Sequence, residues 1–165
     1  MRSIKKKLLL NFILFFSFFA LSAAYFIQYV LGHQPCNLCL IERIPYISAI
    51  ILISLIFIIK RYEKIIMTLI SLLFIFGGII SFYHFGIEQG FFSESLVCLL
   101  GDAESNISTN ELLRELEKKT ISCKEVTIRF FGLSLATLNT IISFILSAII
   151  LKELKNYEKN LQKKS

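Results

Sequence analysis

The chain has 165 residues, 55% of them hydrophobic, a mean hydropathy of +0.69 and a net charge of +6. It is long enough for one compact unit and too apolar for an ordinary soluble domain. The positive charge does not signal a nucleic-acid surface, because the basic residues sit at the edges of apolar runs.

Apolar runs of about 18 residues or more read as membrane-spanning helices, and the chain has four. The first covers about residues 8–31 and follows Arg2, Lys5, Lys6 and Lys7. "MRSIKKK" followed by an apolar run and "ALSAAY" also looks like a secretory signal cleaved after Ala24. However, the apolar run continues to Leu31, which is long enough to span. A short loop over about residues 32–39 contains "QPCNLCLIER". The second span, about residues 40–59, carries Glu42 and Arg43 in its first turn. Pro45 should make that helix start late or kink. The third span, about residues 65–87, has His84 near its end in "SFYHFGIEQG". A long segment over about residues 88–130 then precedes the fourth span, about residues 131–151. Within it, "NISTNELLRELEKK" carries a helix signature. Ser108 and Glu111 have capping-box spacing, Ile107 and Leu112 staple spacing, and Leu112, Leu113 and Leu116 form an apolar stripe. This short amphipathic helix should lie on the membrane surface or pack, solvated, on the bundle. Lipid forbids unpaired backbone groups, so residues 1–165 should form a single integral membrane domain. The expected fold is all-α, a four-transmembrane-helix bundle with one long outer loop.

Twelve basic residues flank the ends that face one side of the membrane, and six lie on the other. The positive-inside rule then puts both termini in the cytoplasm and both loops outside. Cys36, Cys39, Cys98 and Cys123 all fall outside. An even count in an oxidising compartment reads as disulfides, most simply Cys36 with Cys39 and Cys98 with Cys123, although sequence leaves the connectivity open. A Cys36–Cys39 ring is too small to restrain an unfolded chain by much. Its C-x-x-C spacing suits redox chemistry, in which one thiolate resolves its neighbour, and Pro35 fits a chain turning into a helix. Cys98 and Cys123 lie in a segment with little apolar surface to bury. That segment is expected to be mobile, so that another protein can reach its disulfide. Two inert disulfides bracing a non-catalytic membrane scaffold are the plainer alternative. Zinc held by all four cysteines would normally use two short-spaced pairs, and only one is present, so no metal is expected. Covalent haem would need a histidine where Leu40 stands.

Arg43 follows Cys39 by four residues, which on a continuous helix is the same face one turn deeper. It either snorkels to the headgroups or stabilises negative charge beside Cys39, on the thiolate or on an electron acceptor. His84 either donates a proton or hydrogen bond near the outer surface or is a plain interfacial histidine.

Together these residues resemble the disulfide bond formation protein B family of bacterial inner membranes. The resemblance rests on "PCNLCLIER", on Cys98 and Cys123 in the second outer loop, and on "CKEVTIRFFGLSLATLN" leading into the fourth span. It implies a multi-pass quinone reductase that reoxidises a soluble periplasmic thioredoxin-fold disulfide donor and so supports disulfide formation in exported proteins. The cofactor would be ubiquinone or menaquinone. By the same resemblance, Cys98 and Cys123 form the disulfide attacked by the donor, and Cys98 holds the mixed disulfide. Cys123 passes reducing equivalents to Cys36, and Cys39 faces the quinone with Arg43 beside it. His84 falls near a histidine found around the quinone in the family. Residues 101–121 depart from the family pattern, which leaves open which donor docks and whether the chain is a dedicated variant serving one donor.

Overall fold

The structure, a computed structural model, describes residues 2–94, 98, 122–124, 129–130 and 132–162. The amphipathic helix expected at 106–119 lies outside the described residues. Four helices are long and apolar enough to cross a membrane.

Helix α1 runs from Arg2 to Tyr29. Leu10, Ile13 and Ser17 are buried at helical spacing. Phe12, Phe15, Phe18 and Phe19 remain exposed, which leaves apolar rings where lipid would lie. Lys6 pairs with Glu63 at 2.5 Å and ties the start of α1 to the start of the third span. Gly32, at φ +72°, turns the chain after α1, and the His33 amide returns a hydrogen bond to the Ile27 carbonyl.

The second span is broken. Helix α2 covers only Asn37–Ile41, and α3 runs Ile44–Ile58 with Pro45 in its first turn. Pro45 has no N–H to give the Ile41 carbonyl, so the ladder is interrupted at Glu42 and Arg43. A 3-10 turn, Lys60–Tyr62, leads into α4, Glu63–Glu88. Gly77 of α4 sits against α3: a Cβ there would lie 2.7 Å from the Pro45 ring, so only glycine permits this approach.

A two-stranded antiparallel hairpin, β1 Arg129–Phe130 and β2 Leu133–Ser134, precedes the last helix. Helix α5 therefore begins at Leu135 rather than near 131, and it runs on to Gln162. The Ser134 hydroxyl accepts the Thr137 amide at 3.2 Å and caps it. The core lies where α3, α4 and α5 meet α1, around Ile13, Ala49, Ile53, Ile70 and Phe74. Small polar side chains join the helices inside it, as in the 3.3 Å contact of Ser71 with Ser147.

Candidate functional site

Cys36 is the N-cap of α2 and its sulfur accepts the Cys39 amide at 3.4 Å. The same turn brings the two sulfurs to 2.9 Å as free thiols, with Cys36 buried and Cys39 half-buried. Cys98 and Cys123 are bonded to each other. They do not stand out in an exposed loop, as their segment's composition suggested: they are 4% and 1% exposed. They pack with Cys36, Leu38 and Ile87 in one cluster, so apolar contact with the ends of α2 and α4 covers the disulfide.

His84, on the last turns of α4, meets Cys36 rather than Cys39. Its Nε2 lies 3.5 Å from the Cys36 sulfur, and its Nδ1 lies 2.7 Å from Glu42 Oε1. A carboxylate only accepts, so Nδ1 donates to Glu42, and Nε2 faces the Cys36 sulfur. The second Glu42 oxygen accepts from Asn139 Nδ2 at 2.8 Å. Asn139 also donates to Ser81 and accepts from the Tyr46 hydroxyl at 2.5 Å. One polar network thus joins the N-cap of α2, the 42–43 break, α3, α4 and α5 (five places in the chain). Every buried donor and acceptor on that path has a partner, which fixes the ring.

Glu88, four residues after His84, has a largely buried side chain whose carboxyl meets the Ser134 side chain. Its Oε1 lies 3.9 Å from His84 Nε2, and its Oε2 has no hydrogen-bond partner among the described residues. Sequence reasoning missed Glu42 as a working group, and missed Glu88 and Asn139 altogether. One signal was available: acidic and amide side chains inside apolar spans are rare and usually face the bundle interior.

Arg43 reaches α1: its guanidinium donates to Gln28 Oε1 at 2.7 Å and lies 4.9 Å over the Tyr25 ring. It still shares a cavity with the cysteines. That cavity, of about 520 Å³, has apolar walls from α1 and α5 and a polar end formed by Cys36, Cys39, Arg43, His84 and Glu88. Its size and lining are those of a small-molecule site.

The hydrogen bond from the Cys39 thiol, aided by His84, holds the Cys36 thiol down to about 5, against burial that pushes it up. A low thiol pKa beside a second thiol is the condition for rapid thiol–disulfide exchange. Cys36, Cys39 and His84 also place one donor atom each within 4.8 Å of one another.

Comparison with known proteins agrees with this chemistry. The chain is similar, at 29% identity over 132 residues, to the uncharacterized protein RP370 of Rickettsia prowazekii (strain Madrid E), covering 79% of this chain and 77% of the relative. No solved structure matches it. Residues 6–152 match the model of the family described as Disulfide bond formation protein DsbB. With both cysteine pairs brought together on a four-helix membrane scaffold, the chain belongs to the DsbB family of disulfide-forming membrane proteins.

Proposed function

We propose that the chain is a quinone-linked thiol oxidase of a bacterial inner membrane, with both termini cytoplasmic and both cysteine pairs on the periplasmic side. The observation that carries this reading is the single buried cluster holding the Cys98–Cys123 disulfide against Cys36, at the polar end of an apolar cavity.

A reduced thioredoxin-fold donor attacks the Cys98–Cys123 disulfide, and Cys98 holds the mixed disulfide. The donor's second thiol releases itself as a disulfide and leaves Cys98 and Cys123 as thiols. Cys123 then attacks the oxidised Cys36–Cys39 pair at Cys36. Cys98 closes on Cys123 again, so the two electrons now reside in the Cys36–Cys39 dithiol. A quinone bound in the cavity would supply a two-electron, two-proton acceptor. Cys39, half-buried and lining the cavity, would be the sulfur that faces it. His84 faces the Cys36 sulfur through Nε2 and takes up or returns its proton. Glu42 and Asn139 hold the ring in that orientation. Arg43, braced by Gln28 and Tyr25, contributes positive charge to the cavity's polar end.

The fit supports the assignment. A flat ring with an isoprenoid tail suits a cavity with long apolar walls and a few polar groups at one end. Purified protein, supplied with a reduced thioredoxin-fold dithiol and short-chain ubiquinone or menaquinone, should form quinol. Cys39→Ser should abolish that reaction, and equal rates in the two proteins would sink the proposal.

A further inference from the structure

We propose that the reduced Cys36–Cys39 pair and His84 form a binding site for one thiophilic divalent cation of the zinc class, with Glu88 as the fourth ligand. The bound ion holds the pair in its reduced state. This goes beyond the quinone reading, since it needs only the two thiols and does not depend on which acceptor takes their electrons.

Donor distances come first. Tetrahedral zinc with bonds of about 2.3 Å to sulfur and about 2.0 Å to nitrogen places a ligating S and N about 3.5 Å apart. Cys36 Sγ and His84 Nε2 already stand at 3.5 Å. Two sulfurs on the same ion would be about 3.8 Å apart, whereas Cys36 and Cys39 stand at 2.9 Å. The remaining 0.9 Å or so is a small rotation of the Cys39 side chain, which is half-buried and faces the cavity.

Support behind the ligands is already in place. Metal-bound histidines commonly give their other ring N–H to a carboxylate, which fixes the tautomer and aims the ligating nitrogen. Glu42 does this to His84 Nδ1 at 2.7 Å, and Asn139 holds Glu42 in turn. Cys36 therefore meets a histidine whose second ring nitrogen is directed at it, and the Cys39 sulfur lies within 4.8 Å of that nitrogen.

Glu88 is the independent observation. Its carboxyl lines the same cavity and meets the Ser134 side chain, its side chain is 6% exposed, and its Oε2 has no hydrogen-bond partner among the described residues. A buried carboxylate oxygen left unpaired is costly. A cation held by Cys36, Cys39 and His84 would draw the Glu88 side chain, whose Oε1 is already 3.9 Å from His84 Nε2, the rest of the way in, satisfying that oxygen and completing a four-coordinate set.

The step moves no electrons. The ion takes both sulfurs as thiolates, forms two metal–sulfur bonds and releases to solvent any proton they still carry. The disulfide form has no thiolate to offer, so metal binding and oxidation of the pair exclude each other. The Cys98–Cys123 disulfide contributes no ligand.

The test uses full-length protein carrying Cys98→Ser and Cys123→Ser, reduced and then freed of reductant, with cobalt(II) as the probe and zinc as the competitor. One equivalent of cobalt should produce thiolate-to-cobalt charge-transfer bands and the visible bands of a tetrahedral ion, and zinc should displace it. Zinc should also slow alkylation of Cys36 and Cys39. His84→Gln and Glu88→Gln should each weaken cobalt binding by about 10–100-fold, and Glu42→Gln by a similar factor through the ring. Helical content measured by circular dichroism separates lost binding from lost folding, and Glu88→Gln carries the test if His84→Gln does not fold. Absence of a stoichiometric cobalt–thiolate band overturns the proposal. So does binding that none of the folded variants changes, which would mean simple dithiol chelation. Quinone reduction is not read here, so failure of one proposal does not produce failure of the other.

Discussion

Reduced Cys36 should react as a thiolate at acid pH, and replacing Cys39 should remove much of that reactivity. The thiol is held down to about 5 from an ordinary value of 9.0, first by the Cys39 hydrogen bond and then by His84. The sign is that of an acid made stronger. Alkylation should be nearly flat above pH 6 and fall about tenfold per pH unit below 5. Absolute rate at pH 7 is a poor readout. A tenfold stronger thiol acid is about threefold less nucleophilic, so over this range the larger thiolate fraction and the weaker nucleophile nearly cancel at neutrality. At pH 5 the cancellation fails. About half of Cys36 is thiolate there, against about one part in ten thousand of an ordinary thiol, and the net advantage is about 80-fold. The assay is the pH profile of iodoacetamide labelling at Cys36, resolved by mass spectrometry, in reduced Cys98→Ser/Cys123→Ser protein with chelator present. Adding Cys39→Ala should move the midpoint up toward 9 and slow labelling at pH 5 by at least about tenfold. A starting midpoint near 9, or one that Cys39→Ala leaves in place, would refute the account of how Cys36 is activated.

Glu42→Ala should lower stability by about 1–3 kcal/mol, because it strips buried His84 and Asn139 of their shared acceptor; thermal melting in detergent micelles checks this. Gly77→Ala should cost a similar amount through overpacking against Pro45, and an unchanged melting temperature would show that α3 and α4 do not approach as closely as described. Arg43→Lys keeps the charge but loses the flat stacking on Tyr25 and the directed bond to Gln28. It should raise KM for a short-chain quinone several-fold while leaving the melting temperature nearly unchanged.

Much of the architecture was legible because it depends on local properties. Hydropathy over about 20 residues marks a span wherever it sits in the fold, and Pro45 announces a break because no tertiary contact can supply its missing N–H. The C-x-x-C spacing is equally local: one turn of chain brings Cys36 and Cys39 together. Their pairing with a second set of cysteines in one family-specific pattern was also readable. The sequence could not name the partners of Arg43: it was projected one turn from Cys39, whose cavity it lines, but its contacts with Gln28 and Tyr25 depend on how α1 packs. Composition likewise described the segment around Cys98 and Cys123 without revealing that the disulfide itself is buried against α2 and α4.

The amino-acid sequence by itself determined that this chain forms long apolar helices, that its cysteines lie beyond their ends, and that two of them form a redox-spaced pair. Tertiary structure alone decided what surrounds that pair. His84 is 48 residues from Cys36, Glu42 is 42 from His84, and Asn139 is 97 from Glu42. Their convergence depends on how each helix is rotated and how deeply it sits against its neighbours. Those variables are set by interhelical packing, such as the Gly77–Pro45 contact, and by the demand that every buried polar group find a partner.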